Sequence, residues 1–110
     1  MDAHLTEGIF FFNAGRYFEA HETWEHMWRK TEGQARPFYQ GLIHAAVGLH
    51  HLSRDNRTGA KAQMEKALHK LQQYPAAFDG IDNARLQEDL RQALEDRQPL
   101  TVRITQIEHT

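Results

Sequence analysis

The segment HETWEHMW, residues 21–28, places an imidazole and a carboxylate where a helix should be apolar. His21 and Glu25 are one helical turn apart, separated by about 40° around the helix axis, and both fall within the arc of aromatic residues. We refer to these two residues as the His/Glu pair. On an apolar face, the two groups must be neutralised by each other, by further hydrogen bonds or by a metal ion. The spacing therefore predicts a site centred on this pair.

A second polar stripe lies on the apolar segment that follows. Residues 37–53 contain no Asp, Glu, Lys or Arg, and a helix that is apolar on nearly all sides is usually surrounded by other helices. Gln40, His44 and His51 fall within about 40° of one another on this helix, and we call them the polar stripe. His50 is expected to point elsewhere. The simplest arrangement packs the polar stripe against the His/Glu pair.

This combination of donors predicts a divalent metal site. His21 and Glu25 would bind the ion from one helix, and His44 or His51, with Gln40 or water, would complete the shell. Imidazole and carboxylate ligands suit Zn, Mn, Fe or Ni without distinguishing among them. A site that keeps one position open for water could support metal-assisted hydrolysis. The H-E-x-x-H, H-x-x-E-H and Glu-x-x-His motifs of other metal enzymes are absent from the sequence.

Four aromatic residues, Tyr17, Phe18, Trp24 and Trp28, share the arc of the His/Glu pair. Tyr17, Trp24 and Trp28 are expected to form core or pocket walls, with Gln40 as a further pocket residue. Two non-catalytic alternatives remain open. The pair and the polar stripe could form a metal-free hydrogen-bond network inside a structural or interaction module. A small ligand could instead bind between the two helices. Whether the protein is an enzyme stays undecided.

The elements that must position these residues are helical. Spacing of apolar residues and the positions of Gly, Pro and capping residues predict an all-α fold, a compact bundle of five or six helices around a buried central helix at about 37–53. The expected domain is residues 1–98, followed by a C-terminal tail at 99–110. The predicted helices span about 2–13, 16–30, 37–53, 57–73 and 82–98, with a loop over 74–81.

The tail has a different pattern. Leu100, Val102 and Ile104 alternate with polar residues, which is the period of an extended chain. A single strand has no partner in a helical domain. We therefore expect an extended or partly ordered tail, since chain termini are often poorly ordered. The alternative is an arm that docks on a second copy and forms a homo-oligomer.

Composition limits the classes of function. A chain of 110 residues is expected to form one domain, and a net charge of −2 without a basic tract argues against nucleic acid as a partner. The sequence has no apolar run of membrane-spanning length and no leader pattern, so we expect no membrane partner. The absence of cysteine removes thiolate metal sites and fits a cytoplasmic protein.

The motif H-x-x-x-E-x-x-W, formed by His21, Glu25 and Trp28, resembles that of domain-of-unknown-function family 309. The lead-in FNAGRYFEAHE and the later segment FYQGLIHAAVGLHHL add to the resemblance, which covers about residues 10–73. Members of this family are small prokaryotic proteins defined by the motif.

The resemblance implies an all-helical bundle with a buried central helix. It also implies a proposed metal-binding role for His21 and Glu25. It brings no activity and no substrate. His44 lies outside the family motif, and the tail after Pro99 lies outside the matching region.

Overall fold

The computed structural model describes residues 2–96 and 102–107. Five helices within these ranges confirm the predicted all-α class. The elements in chain order are α1 (Ala3–Asn13), α2 (Tyr17–Lys30), α3 (Arg36–Ser53), α4 (Arg57–Leu71), β1 (Ala77–Phe78), β2 (Ile81–Asp82) and α5 (Asn83–Asp96).

Side-chain caps begin α1 and α4. The Asp2 carboxylate accepts a hydrogen bond from the His4 backbone N–H and begins α1. The Asn56 side chain accepts from the Gly59 N–H and begins α4 in the same way. Pro37 occupies the first turn of α3, where its missing N–H removes no helical hydrogen bond. These local signals place the helix boundaries close to the predicted ones.

Helix α3 forms the centre of the bundle because its apolar side chains cover nearly its whole circumference. It packs against α2 on one side and against α4 on another. Phe38, Leu42 and Leu49 are completely buried. Trp24 of α2 and Phe12 of α1 extend the same core. The predicted central position of this helix is therefore confirmed.

The region between α4 and α5 contains a β-hairpin where the sequence predicted a loop. Ala77 pairs with Asp82, and Phe78 pairs with Ile81. Asp79 and Gly80 form the turn with φ of 49° and 74°, the left-handed pair that a two-residue type I′ hairpin requires. The Asp-Gly dipeptide is a strong hairpin signal, and here it creates a strand edge.

The described part of the tail, residues 102–107, pairs with this edge. The Asp82 N–H donates to the Thr105 carbonyl at 2.9 Å, and the Ile107 N–H donates to the Gly80 carbonyl at 2.7 Å. The prediction that a strand would find no partner in a helical domain is therefore wrong. The reason is that the hairpin supplies unpaired backbone groups within the same chain.

Side chains also attach the tail to α1. The Asn13 amide donates to the Ile104 carbonyl at 2.9 Å and accepts from the Ile104 N–H at 2.8 Å. Val102 and Ile104 are buried, as their alternation with exposed residues requires. The predicted boundary at 98 and the residues 99–101 and 108–110 lie outside the described ranges. Oligomerisation through the tail stays a prediction. No helix in the described ranges has the length and apolarity needed to cross a membrane.

Candidate functional site

The His/Glu pair lies at the edge of the core, on the face of α2 next to α3. The His21 side chain is 21% exposed and that of Glu25 is 40% exposed, with 3.6 Å between His21 Nε2 and Glu25 Oε2. Arg29 approaches the same carboxylate oxygen at 3.9 Å. Both members of the pair can therefore be reached from solvent.

The tautomer of His21 follows from its second contact. His21 Nδ1 lies 3.0 Å from the Phe18 carbonyl oxygen, which can only accept a hydrogen bond. Nδ1 therefore carries a proton, and Nε2 is the nitrogen that faces Glu25. A backbone carbonyl bonded to one ring nitrogen is the arrangement that orients many metal-binding histidines.

His44 faces α4, away from the His/Glu pair. Its Nδ1 lies 2.8 Å from the Gln63 side-chain oxygen. Burial lowers the pKa of His44, with smaller contributions in the same direction from Lys66 and Lys70. Gln40 on the same helix is half-buried, and no hydrogen bond joins it to the pair in the described part of the chain.

His51 interacts with the start of α4. The Asn56 side-chain oxygen accepts from the Gly59 N–H, which turns the amide nitrogen of Asn56 toward His51 Nδ1 at 3.3 Å. His51 Nδ1 therefore accepts, and its proton resides on Nε2. Because His44 and His51 are turned to other partners, the predicted four-residue shell is not assembled in this conformation. Across residues 2–96 and 102–107, no group of three or more His, Cys, Asp or Glu side chains is placed to hold one ion.

The predicted aromatic residues have separate roles. Trp24 is fully buried, and its Nε1 donates to the Leu5 carbonyl at 3.3 Å, so it belongs to the core. Trp28 is covered by the Arg36 guanidinium, 4.0 Å from the ring centroid. Trp28 Nε1 is buried and has no hydrogen-bond partner within the described residues. Burial raises the pKa of the Tyr17 hydroxyl. Of Tyr17, Trp24 and Trp28, only Tyr17 lines the pocket between α2 and α3.

A pocket of about 210 Å³ lies between α2 and α3, beside His21. Phe18 lines it, and the centroid of the Phe18 ring is 5.3 Å from that of His21 and 5.7 Å from that of His50. The lining residues are Tyr17, Phe18, His21, Val47, His50 and His51.

Phe18, Val47 and His50 line the pocket but are absent from the predicted site. The helical projection turns His50 away from the polar stripe, yet His50 lines the same pocket as His21. Val47, His50 and His51 have the i, i+3, i+4 spacing of one helix face, and that spacing was the available signal. Burial lowers the pKa of His50, and the charge of Arg54 acts in the same direction. The lowered pKa favours the neutral form of the His50 imidazole.

Comparison with known proteins places this region within a described family. The model of the family named "Domain of unknown function (DUF309)" matches residues 5–63, which contain the whole H-x-x-x-E-x-x-W motif. The match confirms the family that the sequence resembles.

Two curated proteins are similar to this chain. Uncharacterized protein YpuF of Bacillus subtilis (strain 168) is 36% identical over 88 residues, which cover 76% of this chain and 51% of YpuF. An uncharacterized protein of Aquifex aeolicus (strain VF5) is 29% identical over 91 residues, covering 82% of this chain and 27% of that protein. The chain thus spans about half the length of the first relative and about a quarter of the second.

Proposed function

This chain belongs to the DUF309 family, and we propose that it binds a divalent transition-metal ion through His21 Nε2 and Glu25 Oε2. The observation that supports the proposal best is the orientation of His21. Its Nδ1–H donates a hydrogen bond to the Phe18 carbonyl, and its Nε2 faces the Glu25 carboxylate at 3.6 Å.

The separation of these two atoms fits a shared ion. Two ligands of a tetrahedral Zn²⁺ with bonds of about 2.0–2.1 Å lie roughly 3.4 Å apart. The observed 3.6 Å differs from that value by an amount that a small side-chain rotation removes. Glu25 is also exposed enough for a metal ion to replace the solvent around its carboxylate or the contact with Arg29.

The remaining predicted ligands do not fit in this conformation. His44 is bonded to Gln63, and His51 faces Asn56. Water or a bound substrate would therefore supply the other ligands. A bound ion of this kind supplies Lewis acidity and a water molecule of lowered pKa, which is the basis for proposing metal-assisted hydrolysis.

The metal-free alternative receives less support from the geometry. A network that fixes two helices should be buried and connected across the interface. The side chain of Glu25 is 40% exposed, and no hydrogen bond within the described ranges joins the His/Glu pair to the polar stripe. A partly exposed pair whose polar contacts, with Phe18 and Arg29, stay within α2 is better placed to bind a ligand than to hold the bundle together.

The test uses tag-free protein that has been stripped with chelator and dialysed. Calorimetric titration with Zn, Mn, Ni and Fe(II) should show one site for at least one of these ions, and the ion should raise the melting temperature because it binds the folded state. His21→Gln and Glu25→Gln should each abolish binding.

His26→Gln is the matched control, because His26 is exposed on the opposite face of the same helix. It should bind metal like the wild type. Circular dichroism establishes that each variant is folded. The proposal fails if none of the four ions binds, or if His21→Gln binds as tightly as the control.

A further inference from the structure

The pocket beside His21 has the size of a single-ring ligand. Its volume is about 210 Å³. An apolar cavity of about 150 Å³ is large enough to hold benzene. The space between α2 and α3 therefore admits one six-membered ring with a substituent of a few atoms.

The walls of this pocket favour a flat, aromatic ligand. Phe18 is 49% exposed although it is a large apolar residue. Its ring is already in contact with the His21 and His50 imidazoles, at centroid distances of 5.3 and 5.7 Å. Aromatic rings associate at such distances, and a ligand ring would cover the apolar surface that Phe18 leaves exposed. Tyr17 and Val47 complete the apolar wall.

A positive charge lies in an adjoining pocket. This second pocket shares Tyr17, Phe18 and His50 with the first and is also lined by Arg16, Glu19 and Arg54, and we call the two pockets together the groove. Arg16 Nε is 2.5 Å from a Glu19 carboxylate oxygen, so its charge is neutralised. In the part of the chain that the structure describes, no ion pair is formed by Arg54. An unpaired guanidinium is suited to bind a carboxylate with two parallel hydrogen bonds.

We propose that this groove binds a small aromatic carboxylate, with its ring against Tyr17, Phe18 and Val47 and its carboxylate on Arg54. The proposal goes beyond the metal site, because none of these contacts involves Glu25 or a bound ion. His21 takes part only as one wall of the pocket.

The experiment is a titration of ¹⁵N-labelled protein with phenylacetate, followed by two-dimensional NMR in buffer that contains chelator. Phenylacetate should shift the backbone amides of Phe18, Val47 and His50 in a saturable way. Acetate lacks the ring and phenylacetamide lacks the charge, and both should bind at least about tenfold more weakly. The chelator separates this result from metal binding, so either proposal can fail alone.

Two variants and a control test the assignment of the contacts. Arg54→Gln should raise the dissociation constant for phenylacetate about tenfold or more and leave that for phenylacetamide unchanged. Val47→Phe should fill the pocket and prevent binding of both probes. Arg57→Gln is the control, because Arg57 is an exposed arginine outside this groove, and it should bind like the wild type.

The proposal is overturned if phenylacetate causes no saturable shifts at millimolar concentration. It is also overturned if acetate binds as tightly as phenylacetate, or if Arg54→Gln behaves like Arg57→Gln. The NMR spectrum of each variant without ligand shows whether the variant is folded. A loss of binding by a folded variant reflects a lost contact and not unfolding.

Discussion

Gly8 on α1 lies so close to the indole ring of Trp24 on α2 that a larger residue does not fit. A Cβ atom at position 8 would be 2.0 Å from Trp24 Nε1 and 2.4 Å from Cδ1. Trp24 has little freedom to move away. It is fully buried, its Nε1 donates to the Leu5 carbonyl, and its ring packs 5.7 Å from that of Phe12.

The expected cost of Gly8→Ala follows from three contributions. Overpacking of a core site costs about 1–3 kcal/mol. Displacement of the indole leaves a buried donor without its partner, at about 1–3 kcal/mol. Alanine regains about 1 kcal/mol of helix propensity. The net loss in the free energy of unfolding is about 3 kcal/mol, which lowers the melting temperature by about 10–15 °C for a domain of this size.

Urea unfolding followed by far-UV circular dichroism measures this change. Trp24→Phe alone should also destabilise the protein, because it removes volume and the hydrogen bond. In the double variant Gly8→Ala/Trp24→Phe, the loss in the free energy of unfolding should be smaller than the sum of the two single losses by at least about 1 kcal/mol. The reason is that the new methyl group occupies space that the indole leaves. Strict additivity of the two effects, or a Gly8→Ala protein as stable as the wild type, would refute the reasoning.

Three further changes test other parts of the fold. Asn13→Ala removes both hydrogen bonds to Ile104, so it should cost about 1–3 kcal/mol and speed amide exchange in residues 102–107, as hydrogen-exchange mass spectrometry will detect. Tyr39→Phe removes the bond to the Asp79 carboxylate and should lower the free energy of unfolding by about 1 kcal/mol in urea titrations. Burial holds the pKa of His44 below 6.5 in the folded state. As the pH falls, the unfolded chain therefore binds a proton at this histidine at a higher pH than the folded protein does. The contribution of His44 to the free energy of unfolding is complete above pH 6.5 and declines as the pH falls below that value. His44→Gln should reduce this acid sensitivity, and an unchanged slope of stability against pH would contradict the assignment.

Several features of the site were readable from local sequence. The spacing of His21 and Glu25 predicts side chains one turn apart on α2, and His21 Nε2 and Glu25 Oε2 are 3.6 Å apart at the edge of the core. The uncharged segment at 37–53 indicated a central helix, because only surrounding helices can cover such a surface. The sequence motif also indicated the family, which the match to residues 5–63 confirms.

The partners of the histidines were not readable in this way. A helical projection gives the angle of each residue around its own axis, but it does not say which neighbouring helix covers that angle. Helix α3 has neighbours on several sides. His44 therefore forms a hydrogen bond with Gln63 of α4, whereas His50 lines the pocket beside His21.

The sequence by itself determined the helices, the side-chain caps of α1 and α4 and the positions of the apolar faces, because these depend on residues within a few positions of one another. Only the tertiary structure decided which residues line the pocket between α2 and α3 and where residues 102–107 pack. The contact between Asn13 and Ile104 joins residues 91 positions apart, and the nearby Thr105 and Ile107 pair with the hairpin that the Asp79-Gly80 turn forms. No local pattern encodes such pairings, since they form only after the hairpin, α1 and the tail have been brought together by the packing of the core.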